Sequence, residues 1–307
     1  MRTILLTFTV MLFQNPLTFC NYDANAIFLE WQKNYGSINY MEFEFTDRIT
    51  NVVQQEGRNI SPLWDTLTIH TKQSSNGKYS SEYSKTRMNV SGESKTTKEM
   101  VVFDGIDQYV FTLSDGECNR VVINDKHLEK GLNLYNELVF YFLTEKVGYP
   151  QPPNPPKQIN YLELMFPLIV PLDRLIIRAE IEFVSGESCI VVDLLNLPKS
   201  KIIQTVWFAK DAGMLPMKYI WYDEKGGFLE KMEVLEVADS NGVWYPKKGR
   251  RTQNYRTQYK SITHEINVTK FVANPAFDEN DFKVTISPET IVHDSRIKES
   301  YLVGSPD

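Results

Sequence analysis

Cysteine is scarce in this chain: Cys20, Cys118 and Cys189 are the only three among 307 residues. No Cys-x-x-Cys occurs, which removes a thioredoxin-like redox motif and a zinc ribbon. The four histidines, His70, His127, His264 and His293, never fall in a His-Glu-x-x-His pattern. His264-Glu265 and His293-Asp294 are adjacent pairs, and neighbours on a strand point to opposite faces. No metal centre is therefore expected. Missing too are Gly-x-Ser-x-Gly, the phosphate-cradling Gly-x4-Gly-Lys-Ser/Thr and Gly-x-Gly-x-x-Gly. Their absence leaves no nucleophile elbow, nucleotide loop or dinucleotide fingerprint. A basic excess is lacking as well: 33 Lys and Arg stand against 39 Asp and Glu, for a net charge of −6. That balance argues against a nucleic-acid partner. Beyond the first residues, no apolar run reads as a transmembrane helix. The greasiest, residues 162–175, is cut by Pro167 and Pro171. No catalytic set and no cofactor motif emerges, so the expectation is a surface that binds.

What the chain does have is aromatic and strand-forming. Aromatics make up 12% and hydrophobic residues 42%, enough for a substantial core. Met1-Arg2 gives a positive start, and residues 3–13 form an apolar stretch of signal-peptide length. Residues 1–22 are expected to be a leader, with its boundary between 20 and 26. Ala24-Asn25-Ala26 fits small-residue cleavage, and Leu17-Thr18-Phe19-Cys20 offers the alternative of a lipid anchor at Cys20. Either ending makes the chain periplasmic or secreted. Cys118 and Cys189 then either pair or remain buried free thiols.

Residues 23–35 read as a helix, with Ala24, Ile27, Phe28, Trp31 and Tyr35 on one face. Period two follows, with Met41, Phe43 and Phe45 alternating against Glu42, Glu44 and Thr46. Strands are expected at 62–73 and 78–88, the second polar on both faces and so assigned to an edge or a rim position. A hairpin covers 99–113 around Asp104-Gly105. Residues 132–146 have helical spacing, and a proline cluster at 150–156 serves as a spacer or as the hinge of a lid. Further strands are expected at 176–184, 188–194, 202–209, 216–222, 228–237, 243–248 and 251–271. Ser185-Gly186 and Asn241-Gly242 supply turns. The tail, 276–304, is looser, with Asp281-Phe282 and Tyr301-Leu302-Val303 as anchors. Acidic pairs such as Glu42/Glu44 and Glu180/Glu182 read as solvated strand faces. One long curved antiparallel sheet, helices and a proline-broken apolar segment can enclose an apolar hollow.

Three stretches carry a resemblance. Residues 31–46, from Trp31 through Tyr35-Gly36-Ser37-Ile38 into the alternating strand, are one. Trp207-Phe208-Ala209-Lys210-Asp211-Ala212-Gly213-Met214-Leu215-Pro216 is the second, and Gly242-Val243-Trp244-Tyr245-Pro246 the third. Together they resemble the LolA-like superfamily of periplasmic lipoprotein carriers. The tail Ile291-Val292-His293-Asp294 with Tyr301-Leu302-Val303-Gly304 is similar to the ending of lipoprotein-sorting relatives. The chain lacks the Trp-x-Lys-Arg-Pro stretch of the best known carriers. The resemblance implies a mainly β (α+β) fold, an incompletely closed antiparallel β-barrel with a few covering helices. It makes 23–307 a single domain with an insert at about 125–175. It implies a non-enzymatic envelope protein that binds lipid, acyl chain or lipoprotein cargo in a concave cavity, without cofactor or metal. Phe43, Phe45, Met165, Phe166, Trp207 and Trp221 are the expected cavity residues. The alternative is an envelope sensor that uses the same fold to regulate a protein partner.

Overall fold

A computed structural model of the chain describes residues 26–27, 29–30, 33, 38–54, 65–74, 78–88, 92–114, 117–124, 174–196, 201–254, 259–276 and 278–304. The leader, the expected helix at 132–146, the proline cluster, Met165 and Phe166 lie outside these residues. Sixteen strands form one sheet. The first six are β1 (Tyr40–Gln54), β2 (Thr66–Ser74), β3 (Tyr79–Met88), β4 (Ser94–Phe103), β5 (Gln108–Ser114) and β6 (Glu117–Asn124). Next come β7 (Leu175–Ile177), β8 (Glu182–Val184), β9 (Glu187–Leu195), β10 (Ile202–Ala209) and β11 (Leu215–Tyr222). Then follow β12 (Phe228–Ser240), β13 (Val243–Asn254), β14 (Tyr259–Ala273), β15 (Ile291–Asp294) and β16 (Glu299–Leu302).

The strand order is β16-β15-β6-β5-β4-β3-β2-β1-β14-β13-β12-β11-β10-β9-β7, with β8 also on β9. Its two ends do not pair, so the sheet is mainly β and incompletely closed. Every pairing is antiparallel except β15 on β6. The strand that joins the two wings is β1, which pairs with β2 on one side and β14 on the other. Residues 26, 27, 29, 30 and 33 are helical, and Ile27 is buried in the main core.

Turn chemistry sets the hairpins. Asn241 (φ 55°) and Gly242 (φ 80°) join β12 to β13, and Ser185 (φ 51°) and Gly186 (φ 91°) join β8 to β9. Positive φ at both central positions is what a tight hairpin needs. The two strand prolines sit where the ladder is already interrupted. Pro216 opposes Phe208 at one register shift, and Pro246 opposes Val237 at another. A residue without an N–H is tolerated there.

Several boundaries differ from expectation. Gly249 does not end a strand; it lies inside β13, opposite Val234 and Ile266. Residues 178–181 instead interrupt the expected strand at 176–184, leaving the short β7 and β8. β3 is not an edge: it pairs with both β2 and β4. Its polar residues are used within the sheet, as in Thr71–Ser81 (2.9 Å) and Thr86–Thr96 (3.0 Å).

Two cores result. The larger contains Phe43, Phe45, Ile69, Val206, Met232, Ile266 and Phe271. The smaller, Val102, Phe111, Val121, Ile123 and Val292, lies under the C-terminal segment, which adds Val284, Ile286 and Val303. Register places Phe103 and Phe111 on opposite faces of the same wing. The tail is therefore a strap across the outer side of β4–β6. It is fastened by Lys72–Asp281 (2.7 Å) and by Arg296, which reaches both Asp107 and Asp294 at 2.5 Å. Phe282 and Val303 anchor it as expected, whereas Tyr301 and Leu302 stay exposed.

Candidate binding face

Following the ladder strand by strand assigns each side chain to a face, because antiparallel partners share one. Phe43 pairs with Phe271 and Phe45 with Ile69 and Val268. Asp47 pairs with Ile266, which pairs with Gly249, while His264 pairs with Arg251. Arg251 pairs with Met232, which pairs with Tyr219, which pairs with Val206. Trp221 pairs with Glu230 and Gln204 on that same face. Phe43, Phe45 and Trp221 therefore share the inner wall. Phe43 and Phe45 are stacked with ring centroids 6.0 Å apart and are each 1% exposed. Trp221 is half-buried.

Trp207 is on the opposite face. It pairs with Lys218 and Val191, out of phase with Tyr219 and Val206. Its indole N–H donates to Glu182 at 2.9 Å, and the Lys218 ammonium sits 4.4 Å from the ring centroid. Arg178 braces the same patch, with 2.8 and 2.9 Å bonds to Asp193 and 2.9 Å to Glu182. Thr205 donates to Asp193 at 2.6 Å. Trp207 thus belongs to a structural clamp outside the inner wall. Both faces of β10 are buried, so alternation alone offers no choice between them.

The sequence did not reveal the charged lane that crosses the inner wall. It runs from Asp47 on β1 through His264 on β14, Arg251 on β13 and Glu230 on β12 to Tyr219 on β11. Asp47, His264, Arg251 and Tyr219 are at most 2% exposed. Asp47 Oδ1 lies 3.0 Å from His264 Nδ1. Arg251 Nε donates to Glu230 Oε1 at 2.8 Å. Gln253 Nε2 donates to Glu230 Oε2 at 3.3 Å, and the Tyr219 hydroxyl donates to Glu230. Burial, then the Glu230 charge, pushes the Tyr219 phenol well above its ordinary range, so it stays a donor. His264 Nε2 is buried and makes no hydrogen bond.

The acidic pairs read as solvated strand faces are instead partly engaged: Glu42 lies on the outer face bound to Lys270 (2.7 Å) and His70 (2.9 Å), Glu182 accepts from Arg178 and Trp207, and Glu180 lies outside the strands. Cys118 and Cys189 are free thiols, Cys189 fully buried. Among the described residues, no three His, Cys, Asp or Glu side chains gather as a metal site.

No family model matches the chain, and no curated protein matches it. Solved structures do share its outline. A DUF1329 family protein from Desulfovibrio piger has a TM-score of 0.43 at 15% identity, over 85% of this chain and 98% of that one. A lipoprotein-sorting domain of the outer membrane from Vibrio parahaemolyticus has a TM-score of 0.42 at 14% identity, over 84% of this chain and 94% of its own. The LolA superfamily protein NE2245 from Nitrosomonas europaea has a TM-score of 0.41 at 11% identity, over 86% and 98%. The likeness is weak in each case, and it is to LolA-type and lipoprotein-sorting proteins that the chain is similar.

Proposed function

We propose that this chain is an envelope protein that binds an acyl chain, as lipid or as the lipid moiety of lipoprotein cargo, along the inner wall of its open sheet. The observation that carries the reading is the row of Met41, Phe43, Phe45, Ile69, Val268 and Phe271 on one face of a sheet whose ends do not meet. Because the first and last strands do not pair, that wall is not sealed by a continuous ladder. Phe43 and Phe45 are covered, so cargo reaches them only when the cover shifts, and the helical segment carrying Ile27 belongs to the same core. Burying eight methylenes would contribute roughly 6 kcal/mol at ~0.8 kcal/mol each, before ordering costs. No covalent chemistry is needed. Export by a leader is part of the same reading, its end either near residue 22 or at a lipid-anchored Cys20, and cell fractionation with a Cys20→Ser variant separates the two. The direct test is lipid extraction from purified protein, with displacement of a bound N-phenylnaphthylamine dye by acyl ligands. Copurified lipid and dye displacement support carriage; neither lipid nor dye binding would remove it.

A second reading, regulation of a protein partner, draws on the exposed edge hairpin. Ile291, Tyr301 and Leu302 there are 48%, 45% and 42% exposed. Its test is capture of a partner whose binding survives loading with acyl ligand.

A further inference from the structure

We propose that the cleft between the C-terminal strap and the turn joining β4 to β5 holds the phosphate of an organic ester, clamped between the ammonium groups of Lys78 and Lys283. The cleft lies on the outer side of the sheet, so this site stands apart from acyl binding on the inner wall.

The geometry comes from two elements held in fixed relation. Lys78, Asp104 and Tyr109 of the sheet, with Phe282, Lys283, Val284 and Thr285 of the strap, line a cleft of about 370 Å³. Tyr109 pairs with Val102 and Ile123, which form the face that the strap covers. Lys78 leads into β3, and its stem passes over Gly105, where a Cβ would stand 3.3 Å from Lys78 Cε. The strap is pinned on both sides of the cleft. Lys72 holds Asp281 at 2.7 Å just before Phe282, and Arg296 holds Asp107 at 2.5 Å just past Gly105. Walls set before the ligand arrives need no ordering when it binds.

Charge makes the cleft an anion site. Its neighbouring acids are already engaged: Asp281 with Lys72, and Asp107 with Arg296. Asp104 lines the cleft, but its Oδ1 accepts from the N–H of Ile106 at 2.8 Å and of Asp107 at 2.9 Å. Lys283 is exposed, and its ammonium makes no ion pair among the described residues. Two ammonium groups against one carboxylate leave the lining net positive. An ammonium is a compact point charge that suits phosphate. Thr285 adds a hydroxyl. Burial, then the Asp104 and Asp107 charges, pushes the Tyr109 phenol above its ordinary range, so it adds no negative charge. The volume is that of a small-molecule site and exceeds what a bare phosphate fills. Phe282 and Val284 give the carbon part of an ester an apolar floor.

The experiment uses the full chain and two probes that bring one chemistry from two sources. Glycerol phosphate in solution is followed by calorimetry. Vesicles of dioleoylphosphatidylglycerol in dioleoylphosphatidylcholine are followed by flotation. Saturable binding of glycerol phosphate supports the site and assigns it to soluble esters; flotation without such binding supports it and assigns it to a lipid head group. In either arm, Lys283→Gln and Lys78→Gln are each expected to weaken binding about tenfold. Lys210→Gln, an exposed lysine on the turn between β10 and β11, changes it by about twofold or less. Bound probe also slows amide exchange over residues 281–286, because it ties the strap to the sheet. If Lys78→Gln does not fold, the exposed Lys283 still decides. Binding of neither probe, a loss in Lys210→Gln as large as in Lys283→Gln, or strap exchange that the bound probe leaves unchanged overturns the site, and acyl binding on the inner wall is untouched by any of these.

Discussion

Asp47 Oδ1 and His264 Nδ1 are 3.0 Å apart although 217 residues separate them in the chain. The bond crosses from β1 to β14, the strands that join the two wings of the sheet. It fixes the imidazole on the inner face, and it begins the charged lane that ends at Tyr219.

The Arg251–Glu230 pair within that lane is buried and hydrogen-bonded, so breaking one side leaves an uncompensated charge. Arg251→Met is expected to cost about 3–5 kcal/mol in urea denaturation. The double variant Arg251→Met with Glu230→Met should recover most of that loss. Equal losses in single and double variants would show that shape, not charge, is what Arg251 supplies.

Phe43 and Phe45 hold the centre of the inner wall. Phe43→Ala and Phe45→Ala are each expected to cost about 3–5 kcal/mol of stability. The conservative Phe43→Leu should keep the fold and weaken acyl binding. Stability is read by thermal melting and binding by dye displacement.

The strap depends on its salt links. Arg296 holds the Asp294 carboxyl below its ordinary range, chiefly through its direct hydrogen bond. A depressed carboxylate contributes stability above its unfolded pKa and loses it as pH falls. The strap should therefore loosen below about pH 4. Arg296→Met should loosen it at neutral pH. Hydrogen exchange over residues 291–302 checks both, with the amides of β1 and β14 unchanged.

Cys189 is inert by placement. Burial pushes its thiol up from 9.0 to about 12. It should resist alkylation in the native state at mildly alkaline pH, while Cys118, half-buried, reacts first. A raised acid contributes stability below its unfolded pKa, so that contribution drains away as pH climbs from 9.0 towards 12. Tyr219 acts in the same direction. A steep fall in melting temperature over that range, softened in Cys189→Ala, is the expected result.

The legible parts of this fold are local ones. Asn241-Gly242 and Ser185-Gly186 announce their hairpins because only a few residues accept positive φ. Met41, Phe43 and Phe45 announce a one-sided strand because their spacing is two. Gly249 fell between two expected strands, 243–248 and 251–271; in the ladder it is the small residue between Val234 and Ile266. β3 misled because its serines and threonines pair across strands rather than with water.

The site was only half legible. Phe43, Phe45 and Trp221 do share a wall, but Trp207 turns the other way. Its strand is buried on both faces, and bulges such as the one between Trp207 and Phe208 reset the alternation. The charged lane was invisible for a different reason. Each of its members is an ordinary polar residue in its own strand, and only the register of five strands brings them into line.

The central claim is that acyl cargo lies on the face of Phe43 and Trp221, away from Trp207. Quenching by a bromine-labelled acyl chain tests it, using two variants that keep one tryptophan each, Trp221 or Trp207, with the other four changed to Phe. The account predicts strong quenching of Trp221 and little of Trp207. Quenching of Trp207 alone, or of neither, would contradict it.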